Sequence, residues 1–154
     1  MKLITVGQYH FAKVDDEDYE LVNQYTWYRI HNKRMRTSYA ERGWTENGRH
    51  HTQRMHNLIM GVVGIDHKDH DGLNNQKHNL RVADQSQNGA NRQPNRGGTS
   101  KYKGVHWDKS HGKWRASIRV HGSLHALGDY ANELDAKHAY NVAALEYFGD
   151  WALT

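Results

Sequence analysis

Three residues stand at spacings that can do chemistry together: Asp66, His67 and Asn88, within the stretch IDHKDHDGLNNQKHNLRVADQSQNGANR that runs from Ile65 to Arg92. Histidine has an intrinsic pKa near neutrality and suits a general base. Asp66 offers a hard anionic oxygen and Asn88 an amide oxygen. Two such donors can hold magnesium or manganese while leaving positions for water and phosphate. A base for water, a divalent cation and donors that balance developing charge are what phosphodiester hydrolysis requires. Several neighbours admit two readings. Asp66 and His67 can instead form a structural hydrogen-bonded pair. His70 is a rival ligand or an exposed loop residue, and His78 reads as exposed. His56 is a packing residue or a support for the site. Asn91 lies on the same helix face as Asn88 and either supports the site or bonds to DNA. Asn74 and Asn75 read as turn residues.

The elements that must position these groups follow from local patterning. Met55, Leu58 and Ile59 have helical spacing, and Gly61 ends that helix. Val62, Val63 and Ile65 predict a strand leading to Asp66 and His67. Adjacent strand residues point to opposite sides, so bringing both into one site requires a bend. Asp69 to His78 is a compact polar loop. Asn79 to Val82 predicts a return strand, Asp84 an N-cap, and Gln85 to Asn91 a short helix. Strand, loop, strand and helix make a ββα unit.

Upstream, Leu3, Ile4 and Val6 predict one strand and Phe11 to Val14 another. Asp15 or Asp16 is placed to cap a short helix bearing Tyr19, Leu21 and Val22. Trp27 to Ile30 and Met35 to Tyr39 predict strands joined by a turn over residues 31–34. Asn47-Gly48 is a turn signal between Arg42–Trp44 and His50–Gln53. The result is a small β-meander. It serves as a scaffold, or its Lys33, Arg34, Arg36, Arg49 and Arg54 meet phosphates.

The chain has 154 residues and 36% hydrophobic residues, so its core is thin or divided. The formal net charge is +4, with 13 His, 5 Trp and 9 Tyr, a balance that fits a polyanionic partner. There is no cysteine, which excludes disulfides and every Cys-ligated zinc motif. No signal-like apolar run opens the chain, and no window approaches the ~20 apolar residues of a membrane span. The expectation is a soluble, intracellular, cytoplasmic protein with no membrane partner and no small-molecule cofactor.

Residues 93–101 hold the single Pro and a Gly pair and read as a boundary. They are a flexible tether or a basic arm along a DNA groove, with Arg92, Arg96 and Lys101 as its cations. Beyond them, three short strands with turns at 109–112 and 121–122 lead into a helix capped by Asn132 and ended by Gly149. Alternation puts Lys113, Arg115, Ser117 and Arg119 on one face of the middle strand, and Trp114, Ala116, Ile118 and Val120 on the other. Ala136, Ala139, Tyr140, Ala143, Ala144 and Tyr147 form one helical stripe. Lys113 is a candidate phosphate contact.

Two resemblances carry these segments further. Asp66-His67, Asn79-Leu80-Arg81 and Asn88, with Met55-His56-Asn57-Leu58-Ile59-Met60 upstream, resemble the HNH (His-Me finger) nucleases of the phage and homing type. That resemblance implies His67 as general base, Asp66 and Asn88 as ligands of one divalent metal, magnesium ahead of manganese, and Asn79 as the residue that fixes the loop and aims His67. Tyr102–Val105, Gly112–Arg119, Leu127-Gly128 and Ala139–Gly149 resemble the APETALA/ethylene-responsive-factor DNA-binding domain. It implies a sheet lying in the major groove of double-stranded DNA, with Lys103, His106, Arg115 and Arg119 as contacts.

The expected class is α+β: a β-rich segment over residues 1–53, a ββα-metal nuclease core over 54–92, a basic linker over 93–101, and a three-stranded antiparallel sheet packed on one helix over 102–154. The implied activity is a DNA endonuclease of homing type, in a bacterial host if phage-encoded. The alternatives are a non-cleaving DNA-binding regulator and a nuclease acting on RNA or single strands. Monomer and dimer stay open.

Overall fold

The computed structural model describes residues 1–31, 37–94 and 97–153. The fold is α+β, and the chain divides into two compact units, Met1–Ala83 and Asp84–Thr154. Among the described residues no helix is long and apolar enough to cross a membrane.

The first unit begins with an antiparallel hairpin of β1 (Lys2–Val6) and β2 (His10–Val14). Its alternation is the period of a half-buried strand: Ile4, Val6, Ala12 and Val14 are buried, while Leu3 and Phe11 are exposed. A single 3-10 turn (Asp16–Asp18) leads into α1 (Tyr19–Asn23). The indole Nε1 of buried Trp27 donates to the carbonyl of Val22 at 2.9 Å, pinning the exit of α1. Then come β3 (Tyr28–Ile30), β4 (Tyr39–Glu46) and β5 (Arg49–Arg54), in the order β3-β4-β5. Asn47 and Gly48 turn β4 into β5 with φ of 50° and 72°, the paired positive values of a type I′ turn. Lys33, Arg34, Met35 and Arg36 lie outside the described residues, and of the expected strand Met35–Tyr39 only Tyr39, the start of β4, is in a strand among the described residues.

Helix α2 (Met55–Met60) follows β5 directly and ends at Gly61, whose φ of 68° is left-handed. β6 (Ile65–His67) pairs antiparallel with β7 (Leu80–Val82). The expected strand through Val62 and Val63 is absent. Gly61 and Gly64 both take positive φ, so the segment between them bends, leaving Val62 46% and Val63 78% exposed. One apolar cluster joins Val6, Val14, Val22 and Trp27 to Met55, Ile59 and Leu80. Residues 1–53 and the β6–β7 hairpin therefore share a core.

The second unit opens with α3 (Gln85–Asn91), started by a reciprocal capping box between Asp84 and Gln87. Its Ala90 is buried in the core of this unit, so the helix falls here, and the division at 83/84 lies inside the stretch read as residues 54–92. β8 (Val105–Asp108), β9 (Lys113–Val120) and β10 (Ser123–Tyr130) form an antiparallel sheet in the order β10-β9-β8, with a bulge between Ala126 and Gly128. Helix α4 (Glu133–Phe148) covers one face. Val105, Ala116, Ile118 and Val120 meet Ala136, Tyr140, Ala143 and Ala144. Gly104 takes φ of 69°, and a Cβ there would stand 2.1 Å from the Tyr140 ring, so only glycine lets chain and ring approach this closely. The stripe differs from expectation at its end: Tyr147 is 48% exposed and Phe148 is buried in its place.

Candidate functional site

Asp66 and His67 are adjacent on β6, and the pleat sends them to opposite faces. Asp66 lies across from Arg81 in the register, and its Oδ2 accepts from Nε and Nη2 of Arg81 at 3.1 and 3.0 Å. Both side chains of this pair are 14% exposed. His67 points inward and is 5% exposed. Its ring stands 4.8 Å from that of His56 at 85°, and 5.8 Å from that of Tyr39. Nε2 is 3.3 Å from Oδ1 of Asn75.

Burial holds the pKa of His67 below the usual histidine value, although the amide oxygen of Asn75 and the charges of Asp69, Asp66 and Asp71 pull the other way. The imidazole is thus neutral at neutral pH, the state a base needs. Burial, with smaller contributions from His67 and Arg54, pushes His56 down to about 3. Its Nδ1 is buried with no hydrogen-bond partner among the described residues. His56 therefore acts as a neutral wall against the His67 ring, and it sits in the site by packing.

The loop between β6 and β7 is fixed from inside by Asn79. Its Nδ2 donates to Oδ1 of Asp69 at 2.9 Å and to the carbonyl of Asn74 at 2.8 Å, while its Oδ1 accepts from the backbone N of Asp69 at 3.1 Å. The carbonyl of Asn79 also accepts from the N of Lys68 at 3.0 Å. Asn74 Nδ2 adds a bond to Oδ2 of Asp69 at 2.7 Å. Burial pushes the Asp69 carboxyl up, but these donors outweigh it and hold the group below the ordinary carboxylate value. Asn79 acts on the loop, and the amide oxygen of Asn75 faces Nε2 of His67. His70 is half-buried with φ of 64°, and His78 is exposed.

Three positioning groups escape a reading of the sequence. Asn75 has the look of a turn residue, yet it is fully buried and touches the imidazole. Asp15 is placed as a helix cap, but no side-chain cap bond forms there. Its carboxylate instead takes Nε2 of Gln76 at 3.0 Å and the backbone N of Lys77 at 2.8 Å, clamping the far end of the loop. Gly72 packs so closely that a Cβ would meet the carbonyl of Ser38 at 2.5 Å and the Tyr39 ring at 2.6 Å. The DG pair at Asp71-Gly72 is the available signal for that turn; nothing local marks Asn75 or Asp15.

Asn88 lies half-buried on α3 in the second unit, and buried Asn91 follows one turn later. Among the described residues no group of three or more His, Cys, Asp or Glu is arranged to hold a metal ion.

The sheet of the second unit presents its uncovered face through His106, Lys113, Arg115, Ser117 and Arg119, with His106 opposite Arg115 in the register. His106, Lys113 and Arg119 are exposed, and so are Arg92 and Lys101. Arg119 Nη1 donates to the carbonyl of Gly122 at 2.7 Å. Arg115 is held between carboxylates: its Nε and Nη2 reach Asp129 at 2.7 and 3.0 Å, and Nη2 lies 3.1 Å from Asp108. Lys103 turns inward and donates to the carbonyls of Gly89 and Ala90 at the C-terminus of α3. Burial, with the Arg92 charge, brings it down to about 8. Arg96 lies outside the described residues. Trp107 and Trp114 meet edge to face at 5.2 Å.

Over 150 residues, the chain is 31% identical to an uncharacterised HNH endonuclease of Acanthamoeba polyphaga mimivirus, covering 97% of this chain and 77% of that protein. Over 59 residues it is 46% identical to an AP2-like ethylene-responsive transcription factor of Arabidopsis thaliana, covering 37% of this chain and 17% of that one. A second Arabidopsis ethylene-responsive transcription factor is 44% identical over 59 residues, 14% of its length. No family model matches the chain, and no solved structure matches it.

Proposed function

The chain belongs to the HNH endonuclease family, and we propose that it is a metal-dependent nuclease of homing type that hydrolyses phosphodiester bonds in double-stranded DNA. The observation that carries this reading is the buried, neutral imidazole of His67 beside Asp66 on β6, with its Nε2 engaged by Asn75. His67 takes the proton of the attacking water. Asn79 holds the loop from which that ring is presented.

Asp66 and Asn88 are the two oxygen donors of the reading for a divalent ion, magnesium ahead of manganese. The donor chemistry fits: a half-buried carboxylate and an amide are hard oxygen ligands, and two of them leave the rest of the shell to water and phosphate. A bound ion supplies polarisation of the phosphate and charge balance at the leaving oxygen. Arg81, bonded to Asp66, holds that carboxylate in place.

The second unit supplies DNA affinity in this reading. Exposed His106, Lys113 and Arg119 on the open sheet face suit phosphates and base edges in a major groove. Arg115 joins them as a guanidinium held rigid by Asp129 and Asp108. Arg92, Arg96 and Lys101 form a basic arm along the duplex. Lys103 contributes through α3, whose terminal carbonyls it binds. The setting is intracellular and cytoplasmic, in a bacterial host cell if phage-encoded, and a monomer with one centre nicks while a dimer can cut both strands.

The test is cleavage of supercoiled plasmid, and of source-genome DNA, with magnesium, with chelator, and with Asp66→Ala. Chelator-sensitive nicking or linearisation, lost in the variant, supports the nuclease. Tight DNA binding with no cleavage of either substrate would overturn it in favour of a non-cleaving regulator, the reading that the likeness to transcription factors favours.

A further inference from the structure

A general base must present one nitrogen lone pair, and a neutral imidazole has two tautomers to choose from. A partner that bears on this choice for His67 lies in the loop after β6. We infer that Asn75 is the positioning residue of His67: its Oδ1 accepts the Nε2 proton, so that Nδ1 carries the basic lone pair.

The polarity of the amide follows from its other neighbours. Nδ2 of Asn75 faces the carbonyl of Leu73 at 3.4 Å and Sδ of Met55 at 3.5 Å. Both are acceptors, so this end of the amide is the NH2 and the end facing His67 is the oxygen. An oxygen there requires a hydrogen on Nε2, and the neutral ring then bears none on Nδ1. Asn75 is itself immobile. It is fully buried, and its backbone N donates to the carbonyl of Lys13 at 2.8 Å, while Lys13 N donates to Leu73 O at 2.8 Å. The loop is thereby stitched to β2, and the side chain has one orientation available. The neighbouring rings act with it. His56 and Tyr39 close on the imidazole from two sides and prevent the rotation that would exchange Nδ1 and Nε2. Asn79, in contrast, spends its hydrogen bonds on Asp69 and Asn74. Aiming the base and fixing the loop are two tasks of two asparagines.

This inference rests on the nuclease reading for its meaning, but the geometry is measurable without activity. The full chain labelled with 15N-histidine is observed by NMR, with the His67 signals identified by their loss in His67→Gln. The expected signature is a neutral ring protonated at Nε2, with an imidazole proton that exchanges slowly with water. A ring protonated at Nδ1, or an Nε2 proton that exchanges as fast as that of exposed His78, overturns the assignment. Asn75→Leu removes the acceptor and Asn75→Asp retains it. The leucine variant is expected to lose the slow proton and to lower kcat about 10–100-fold at unchanged KM. The aspartate variant keeps both the slow proton and kcat within about tenfold. Full kcat in Asn75→Leu overturns the proposal. If wild-type protein cleaves no DNA, the nuclease reading fails alone, and the NMR result still decides the role of Asn75.

Discussion

The two units carry their polar groups in opposite ways. In the first, the candidate site groups are held in place by hydrogen bonds, with His67 and Asn79 buried and Asp15 half-buried: His67 with Asn75, Asn79 with Asp69, Asp15 with the loop at Gln76 and Lys77. In the second, His106 and the cations Lys113 and Arg119 stand in the open on one sheet face. A general base works through one atom held in one direction, which a hydrogen-bonded frame provides. Affinity for a polyanion depends on a sum of similar charges, so it tolerates exposure and redundancy. Damage in the first unit should therefore be all-or-none and damage in the second graded.

The largest effect tests the first half of that contrast. His67→Ala should lower the rate of plasmid nicking about 10²–10⁴-fold, the range for loss of a general base, while DNA affinity in a gel-shift titration stays at the wild-type value. Equal loss of both would make His67 a packing residue and remove the contrast.

The second effect reads the cost of burying histidine. In the folded state His56 titrates at about 3, and in the unfolded chain at about 6.5. Between those values the unfolded chain binds more protons, so stability is lost as pH falls. His67, also depressed by burial, acts in the same direction. Lowering the pH from 7 to 5 should cost the first unit about 2 kcal/mol through His56, and His56→Leu should reduce that slope. Urea melts at the two pH values measure it. A slope unchanged in the variant would mean that His56 is protonated in the fold.

The smallest effect tests the open face. Arg119→Ala should weaken DNA binding a few-fold and reduce the salt slope of log K by about 1, as expected for one lost phosphate contact. An unaltered slope would remove Arg119 from the interface. Abolition of binding would show that this face is as unforgiving as the imidazole site.

What the sequence made legible was local. The Asn47-Gly48 turn, the left-handed stop at Gly61, the Asp84 cap and the alternation of β9 each depend on residues within a few positions of one another. So did the pairing of β6 with β7 around a polar loop. What escaped was long-range or a matter of phase. Asp15 is about sixty residues from the Gln76 it binds, and neither residue announces the other. Asn75 sits in a run of turn-forming types, so its burial is set by β2 and Met55 from elsewhere in the chain. Tyr147 and Phe148 are both plausible ends of one stripe, and a single position of helical phase decides between them. Val62 and Val63 have strand propensity that two flanking left-handed glycines override.

The core shared by residues 1–53 and the β6–β7 hairpin bears on how such a site travels between proteins. The two strands that carry Asp66, His67 and Arg81 are three residues each, too short to persist as an isolated hairpin. Leu80 and Met55 are sheltered by Val6, Val14 and Trp27 from the opening segment. The hairpin that carries the candidate base is therefore not a portable cassette. A graft or recombination junction placed near residue 54 would part it from its shelter, and the smallest piece that moves the hairpin with its core is the whole of Met1–Ala83.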